Sequence, residues 1–165
     1  MRLFVAVRPP ADVIEVLAAL DRPRVAKVRW TTPEQWHVTL RFFGDLDAPT
    51  SIVDALSSTR LPTAVATLGP LVKWVDRMQW APVAGLADLA AGVVDVTREF
   101  GDAPEARAFR GHITLLRSRS RDPELAVPAI NATWTVHEIE LLRSHLGADG
   151  ARYETLERFA LHHAR

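Results

Sequence analysis

Two short stretches of this chain, His37-Val38-Thr39-Leu40 and His112-Ile113-Thr114-Leu115, share one pattern, and each half of the sequence holds one copy. Both sit in runs rich in β-branched and aromatic residues, HVTLRFF and HITLLR, that read as strands. In a strand, residues two apart share a face and neighbours point to opposite faces. Each copy therefore offers one imidazole and one hydroxyl on a polar face. It anchors itself through Val38 and Leu40, or Ile113 and Leu115, on the other. If the two strands face one another across a groove, two imidazoles and two hydroxyls converge. One such motif is an ordinary strand feature, but two matching copies in 165 residues are specific.

The surrounding pattern supports strands around that groove with helices behind them. Residues 2–7 (RLFVAV) read as an opening strand closed by Pro9-Pro10. Val13, Ile14, Val16, Leu17 and Leu20 then fall on one helical face. Short strands are expected at 28–30, 63–68, 71–75 and 78–83, with Asp76-Arg77 as a hairpin turn. Further helices are expected at 49–59 and 86–100. After the second motif strand (112–117), residues 118–131 read as a loop, 134–142 as one strand, 147–150 as a turn and 153–161 as a last strand. The sum is an α+β chain, with two similar lobes that each present one motif.

Composition narrows the chemistry. There is no cysteine, so disulfides, thiolate metal sites and a cysteine nucleophile are excluded. Twenty Lys+Arg balance twenty Asp+Glu, which argues against a broad basic platform for duplex nucleic acid and for recognition of an end or a small ligand. No run approaches the length of a membrane helix, and the opening residues lack the long apolar stretch of a signal peptide, so a cytoplasmic location is expected.

Paired imidazoles suit phosphodiester hydrolysis. One histidine can take a proton from water while its partner protonates the leaving alkoxide, because imidazole titrates near neutral pH. Thr hydroxyls and a nearby Arg can hold the phosphoryl oxygens. A strained 2′,3′-cyclic phosphate needs no metal-activated nucleophile, and no dense His/Asp/Glu cluster marks a two-metal site.

These motifs, with their flanks, resemble the bacterial and archaeal RNA 2′,3′-cyclic phosphodiesterases, once called 2′-5′ RNA ligases, of the 2H phosphoesterase superfamily. The residues that carry the resemblance are RLFVAV, TTPEQWHVTLRFFGDL, RGHITLLRS and the closing LLRSHLGADGARYETLERFAL. The resemblance implies a single domain over residues 1–165. It implies a bilobal α+β fold with a pseudo-twofold repeat, in which antiparallel sheets surround a central cleft and helices pack outside. It implies hydrolysis of RNA 2′,3′-cyclic phosphate ends to 2′-phosphomonoesters, reversible 2′-5′ ligation as a secondary activity, and no metal or other cofactor. The roles it carries over are catalysis for His37 and His112 and substrate binding for Thr39, Thr114 and Arg117. In the family picture the first histidine protonates the leaving 3′-oxygen and the second activates water, an assignment the residues alone do not make. The expected partner is RNA with a cyclic phosphate end, or a small cyclic nucleotide, and the expected state is a monomer.

Several points remain open at the level of sequence. The second motif of the family is often preceded by Pro, where this chain has Gly111. Strict alternation from His112 puts Arg117 on the core face, and it reaches the cleft only if the strand twists or ends near Leu116. By the same alternation Arg41 shares a face with His37 and Arg110 with His112, and both read as solvated strand arginines. Trp30, Trp36, Phe42 and Phe43 are candidates to stack on a base, though most of them are expected in the core. Trp74 and Trp80 are placed to pair across a hairpin. His137, His145, His162 and His163 read as surface or tail residues. Two alternatives stand beside RNA-end hydrolysis. One is the same chemistry on a small cyclic phosphodiester, such as a cyclic nucleotide or an ADP-ribose cyclic phosphate. The other is a non-catalytic module that binds RNA ends.

Overall fold

A computed structural model describes residues 1–121 and 123–163. Ten strands and three α-helices follow one another in the order β1 (Arg2–Val7), α1 (Ala11–Ala18), β2 (Val28–Trp30), β3 (Val38–Asp45), α2 (Thr50–Ser57), β4 (Ala64–Leu68), β5 (Lys73–Val75), β6 (Met78–Ala84), α3 (Ala87–Thr97), β7 (His112–Ser118), β8 (Ala132–Val136), β9 (Glu138–Gly147) and β10 (Gly150–Ala160). A 3₁₀ turn, Pro33–Gln35, precedes β3.

The strands form two antiparallel sheets. The first has the order β10-β9-β1-β3 and holds the first motif. The second has the order β2-β7-β6-β4-β8, with β5 also paired to β6, and holds the second motif. The α+β class with antiparallel sheets is therefore as the sequence indicated. The connectivity interleaves the two sheets, because β2 belongs to the second sheet although it precedes β3, and β9-β10 return to the first.

Burial explains why each element forms. β1 lies between β3 and β9 and has apolar residues on both faces. Leu3, Val5 and Val7 join the main core, whereas Phe4 and Ala6 form a smaller cluster with Leu142 and Tyr153 on the opposite face. That double burial is the reason Leu3 to Val7 is continuously apolar rather than alternating. α1 buries Val13 and Leu17, α2 buries Ile52 and Leu56, and α3 buries Leu89, Ala90 and Val93. Each helix thus inserts one apolar stripe into the main core.

One element differs from expectation. Residues 134–142 are two strands in different sheets rather than one strand. The chain leaves the second sheet after Val136 and enters the first at Glu138. The exposed His137 is the hinge, its carbonyl accepting the Leu161 N–H at 2.7 Å. Residues 134–137 alternate buried and exposed, Glu138 is exposed like His137, and residues 139–142 are all buried, so the change of sheet coincides with a break in the alternation at His137-Glu138.

Candidate active site

β3 and β7 approach each other where the two sheets meet, and a cleft of about 480 Å³ opens between them. His37, Thr39, His112, Thr114 and Arg117 all line this cleft. All five residues picked out from the sequence therefore converge.

The two strands reach the cleft by the same local irregularity. In β3, Ala6 faces Thr39 and Val5 faces Arg41, so Leu40 is an extra residue without a partner. In β7, Trp80 faces Thr114 and Gln79 faces Leu116, so Leu115 is extra in the same way. A bulge of this kind adds one residue and resets the alternation beyond it. Its consequences are visible in burial. Leu40 and Arg41 are both buried while Phe42 is exposed, and Leu115 and Leu116 are both buried while Arg117 is exposed.

The bulge removes the difficulty over Arg117: beyond Leu115 the alternation is reset, and the guanidinium joins His112 and Thr114. It also corrects the reading of Arg41. Arg41 is only 4% exposed and is not a solvated strand residue. Its guanidinium donates to the Thr97 hydroxyl at 2.7 Å and to the Phe100 carbonyl at 2.9 Å, closing the C-terminal end of α3. Such caps satisfy carbonyls that the helix end leaves open. Arg110 is exposed, but it lies over the Trp80 ring, 5.3 Å from its centre.

The imidazoles are held alike. His37 Nδ1 lies 2.7 Å from the Gln35 carbonyl, and His112 Nδ1 lies 2.8 Å from the Arg110 carbonyl. A carbonyl only accepts, so each Nδ1 must carry the hydrogen, and each Nε2 is left as the atom that gains or loses a proton. In both cases the carbonyl belongs to the residue two positions upstream. The neutral His37 Nε2 accepts from the Thr39 hydroxyl at 3.0 Å.

Their surroundings differ. His37 is packed among aromatic rings, with Phe4 at 5.0 Å and Tyr153 edge-on at 4.9 Å between ring centres. Burial pushes its pKa down to about 4, helped by the positive charge of Arg8 and of Arg117, while the Gln35 carbonyl opposes the shift. His112 lies flat on Trp80, with ring centres 3.5 Å apart and planes 7° from parallel. Burial also lowers its pKa, with Arg110, Arg117 and Arg107 adding to the effect and the Arg110 carbonyl opposing it. Burial raises the pKa of Tyr153.

Sequence reasoning missed Phe4, Tyr153 and Trp80 as neighbours of the histidines. Trp80 stacks on His112 rather than pairing with Trp74, whose register partner is Gln79. Of the four aromatic candidates, Phe42 lines the cleft with the Arg2 guanidinium 4.7 Å above its ring. Trp36 and Phe43 are core residues, and Trp30 donates to the Pro23 carbonyl. His145 is paired with Glu154 at 2.7 Å, and His137 and His163 are exposed. Among the described residues no group of three or more His, Asp or Glu is placed to hold a metal ion. No helix among them is long and apolar enough to cross a membrane.

Comparison with known proteins agrees with this geometry. The family model described as LigT like Phosphoesterase matches residues 5–68. The RNA 2′,3′-cyclic phosphodiesterase of Escherichia coli is 31% identical over 170 residues, covering 97% of this chain and 96% of that protein. The enzyme of the same name from Thermus thermophilus is 31% identical over 188 residues, covering 98% and 90%. Among solved structures, a Thermus thermophilus protein superposes with a TM-score of 0.84 at 26% identity over the whole of both chains. E. coli LigT complexed with 3′-AMP superposes with a TM-score of 0.79 at 29% identity over 97% of both. With near-complete coverage of curated relatives at that identity, and the same fold, the chain belongs to the RNA 2′,3′-cyclic phosphodiesterase family of LigT-like phosphoesterases.

Proposed function

We propose that this protein hydrolyses 2′,3′-cyclic phosphate ends of RNA to 2′-phosphomonoesters, with His37 and His112 as the acid–base pair. The observation that carries the proposal is the matched pair of imidazoles. Each has Nδ1 tied to a backbone carbonyl, so each must exchange protons through Nε2, and both line one cleft with Thr39, Thr114 and Arg117.

In the reaction, the oxygen of a water bonds to phosphorus as the P–O3′ bond breaks. One imidazole takes the proton from that water, and the other gives its proton to O3′, leaving a free 3′-hydroxyl and a 2′-phosphate. Thr39, Thr114 and Arg117 hold the phosphoryl oxygens as their charge shifts. The resemblance assigns the acid to His37. Burial keeps that ring neutral in the free protein, so it must gain its proton when the anionic cyclic phosphate binds and offsets the desolvation. With the 5′-hydroxyl of a second strand in place of water, the same site forms a P–O5′ bond as the P–O3′ bond breaks and O3′ takes the proton, which is the reversible 2′-5′ ligation included as a secondary activity.

The relatives support RNA as the substrate class through their shared name, and E. coli LigT has also been crystallised with NADP+, ATP and phosphate. A small cyclic nucleotide remains the second reading, favoured by the balanced charge of the chain. The proposal further takes residues 1–165 as one domain of two similar intertwined lobes, monomeric, cytoplasmic and without a cofactor.

The test is hydrolysis of adenosine 2′,3′-cyclic phosphate and of a short RNA with the same end, in EDTA, with the product phosphate located by NMR. We expect the 2′-phosphate, and a kcat loss of about 10²- to 10⁴-fold in each of His37→Ala and His112→Ala. Turnover that survives both substitutions overturns the two-histidine mechanism. A folded protein that turns over neither substrate overturns the assigned activity.

A further inference from the structure

A second bay opens off the cleft, and Thr39, Phe42 and His112 border both spaces. The bay measures about 680 Å³. Ala91 and Val94 of α3 form part of its floor, and the connection between α3 and β7, residues 98–111, forms its outer wall through Phe109 and Arg107. We infer that this bay binds the nucleotide immediately upstream of the cyclic phosphate end, taking its base between Phe109 and α3 and its linking phosphodiester at Arg110. The inference rests on the proposed activity toward RNA ends.

The bay is continuous with the cleft. A substrate whose reacting phosphorus sits between His37 and His112 has to lead the rest of its strand out of the cleft. The bay begins at His112 itself and offers apolar and aromatic surface, which every base can use regardless of sequence.

The arginines around the bay differ in their partners. Arg98 is paired with Asp95 at 3.0 Å and Arg107 with Glu105 at 2.6 Å. Arg110 makes no salt bridge among the described residues. It lies over Trp80, which in turn lies under His112. An unneutralised guanidinium is thus held beside the second histidine, where the next negative charge of the strand arrives. The phosphodiester there is a monoanion that Arg can grip with two donors.

The wall of the bay is held in place. The 98–111 connection has no regular element, and connections of that length in compact domains are usually functional. Gly111 fixes its end. A Cβ at this position would lie 2.5 Å from the Val83 carbonyl oxygen and 3.2 Å from the Phe109 ring. The Gly111 carbonyl accepts from the Val83 N–H at 2.9 Å. Glycine therefore lets the wall lie tight on β6 and keeps the Phe109 ring beside the bay. The departure from the proline common at this point has a structural consequence in this chain.

The experiment compares kcat/KM for adenosine 2′,3′-cyclic phosphate with that for the dinucleotide ApA ending in the same cyclic phosphate. The wild-type protein should favour the dinucleotide by about tenfold or more, the worth of one stacked base. Two variants then test the location. Phe109→Ala removes the stacking surface, and Ala91→Trp fills the bay from an exposed helical position that tolerates a larger side chain. Both should bring the dinucleotide preference to within about twofold of unity, while the mononucleotide changes far less. Three results overturn the inference: no dinucleotide preference in the wild type, a preference that survives both variants, or an equal loss on both substrates. The mononucleotide separates the two readings. If the wild type cleaves it without favouring the dinucleotide, only the subsite fails. If neither substrate is cleaved, the activity itself fails.

Discussion

The first and second motif strands are one device in two settings. β3 and β7 each carry His-x-Thr-Leu, each bulge at the leucine, and each tie Nδ1 to the carbonyl two residues upstream. The likeness ends at the residues around them. His37 sits against the rings of Phe4 and Tyr153 and bonds Thr39, whereas His112 lies flat on Trp80. Two residues past the bulge, β3 presents Phe42 to the cleft and β7 presents Arg117. One residue earlier the polarity is reversed, with Arg41 buried in the first strand and Leu116 in the second. The lesson is that a repeated backbone geometry aims two chemically equal groups at one point, and non-repeated neighbours then make them unequal. An acid–base pair needs both, since two imidazoles in identical settings would compete for the same role.

The comparison is sharpest at the residues that follow the bulges. Arg117→Leu should lower kcat/KM by about a hundredfold, the cost of losing charge-assisted hydrogen bonds to a phosphoryl group. Phe42→Leu, at the matching position of β3, should cost only a few-fold. Steady-state kinetics on a cyclic mononucleotide checks both, and equal losses would break the claimed asymmetry.

A second contrast is in proton binding. The folded-state pKa of His37 is depressed to about 4, so the unfolded chain binds the extra proton as pH falls below the ordinary histidine value of 6.5. The contribution to stability is present above pH 6.5 and is lost as pH falls toward 4. Between pH 7 and pH 5 it should amount to about 2 kcal/mol. Urea unfolding at the two pH values should show that difference in the wild type and a smaller one in His37→Asn. Addition of 2′-AMP should raise the pKa of His37 in an NMR titration, because the bound anion favours the imidazolium.

A third contrast concerns Trp80, and its expected effect is smaller than that of Arg117. Trp80→Leu removes the flat surface under His112 but leaves its Nδ1 bond to the Arg110 carbonyl. We expect kcat to fall about tenfold with KM nearly unchanged, because the imidazole loses orientation rather than the substrate losing contacts. A change confined to KM would show that Trp80 holds substrate instead.

Much of this molecule was legible before its structure. Elements with one exposed and one buried face announce themselves by periodicity, and α1, α2, α3, β6 and β7 fell within a few residues of their expected bounds. The His-x-Thr pairs were legible for the same reason, since alternation puts His and Thr on one side whatever the partner strand. Arg41 and Arg117 were not, because alternation holds only until a bulge, and a bulge depends on how the partner strand is paired. The crossing at His137 was hidden because the run is β-prone throughout, and a break in alternation at His137-Glu138 does not by itself tell a bulge within one strand from a change of sheet.

The sequence by itself determined two motif strands with one polar face each, an apolar opening strand and three helices with an apolar stripe. Each of these follows from the order of apolar and polar side chains along one element. Only the tertiary structure decided that the two motifs share a cleft, that Arg117 enters it while Arg41 closes a helix, and that Trp80 lies under one histidine while Phe4 and Tyr153 enclose the other. Those outcomes depend on contacts between residues far apart in the chain, whose registers and burial are set only when the sheets assemble around a common core.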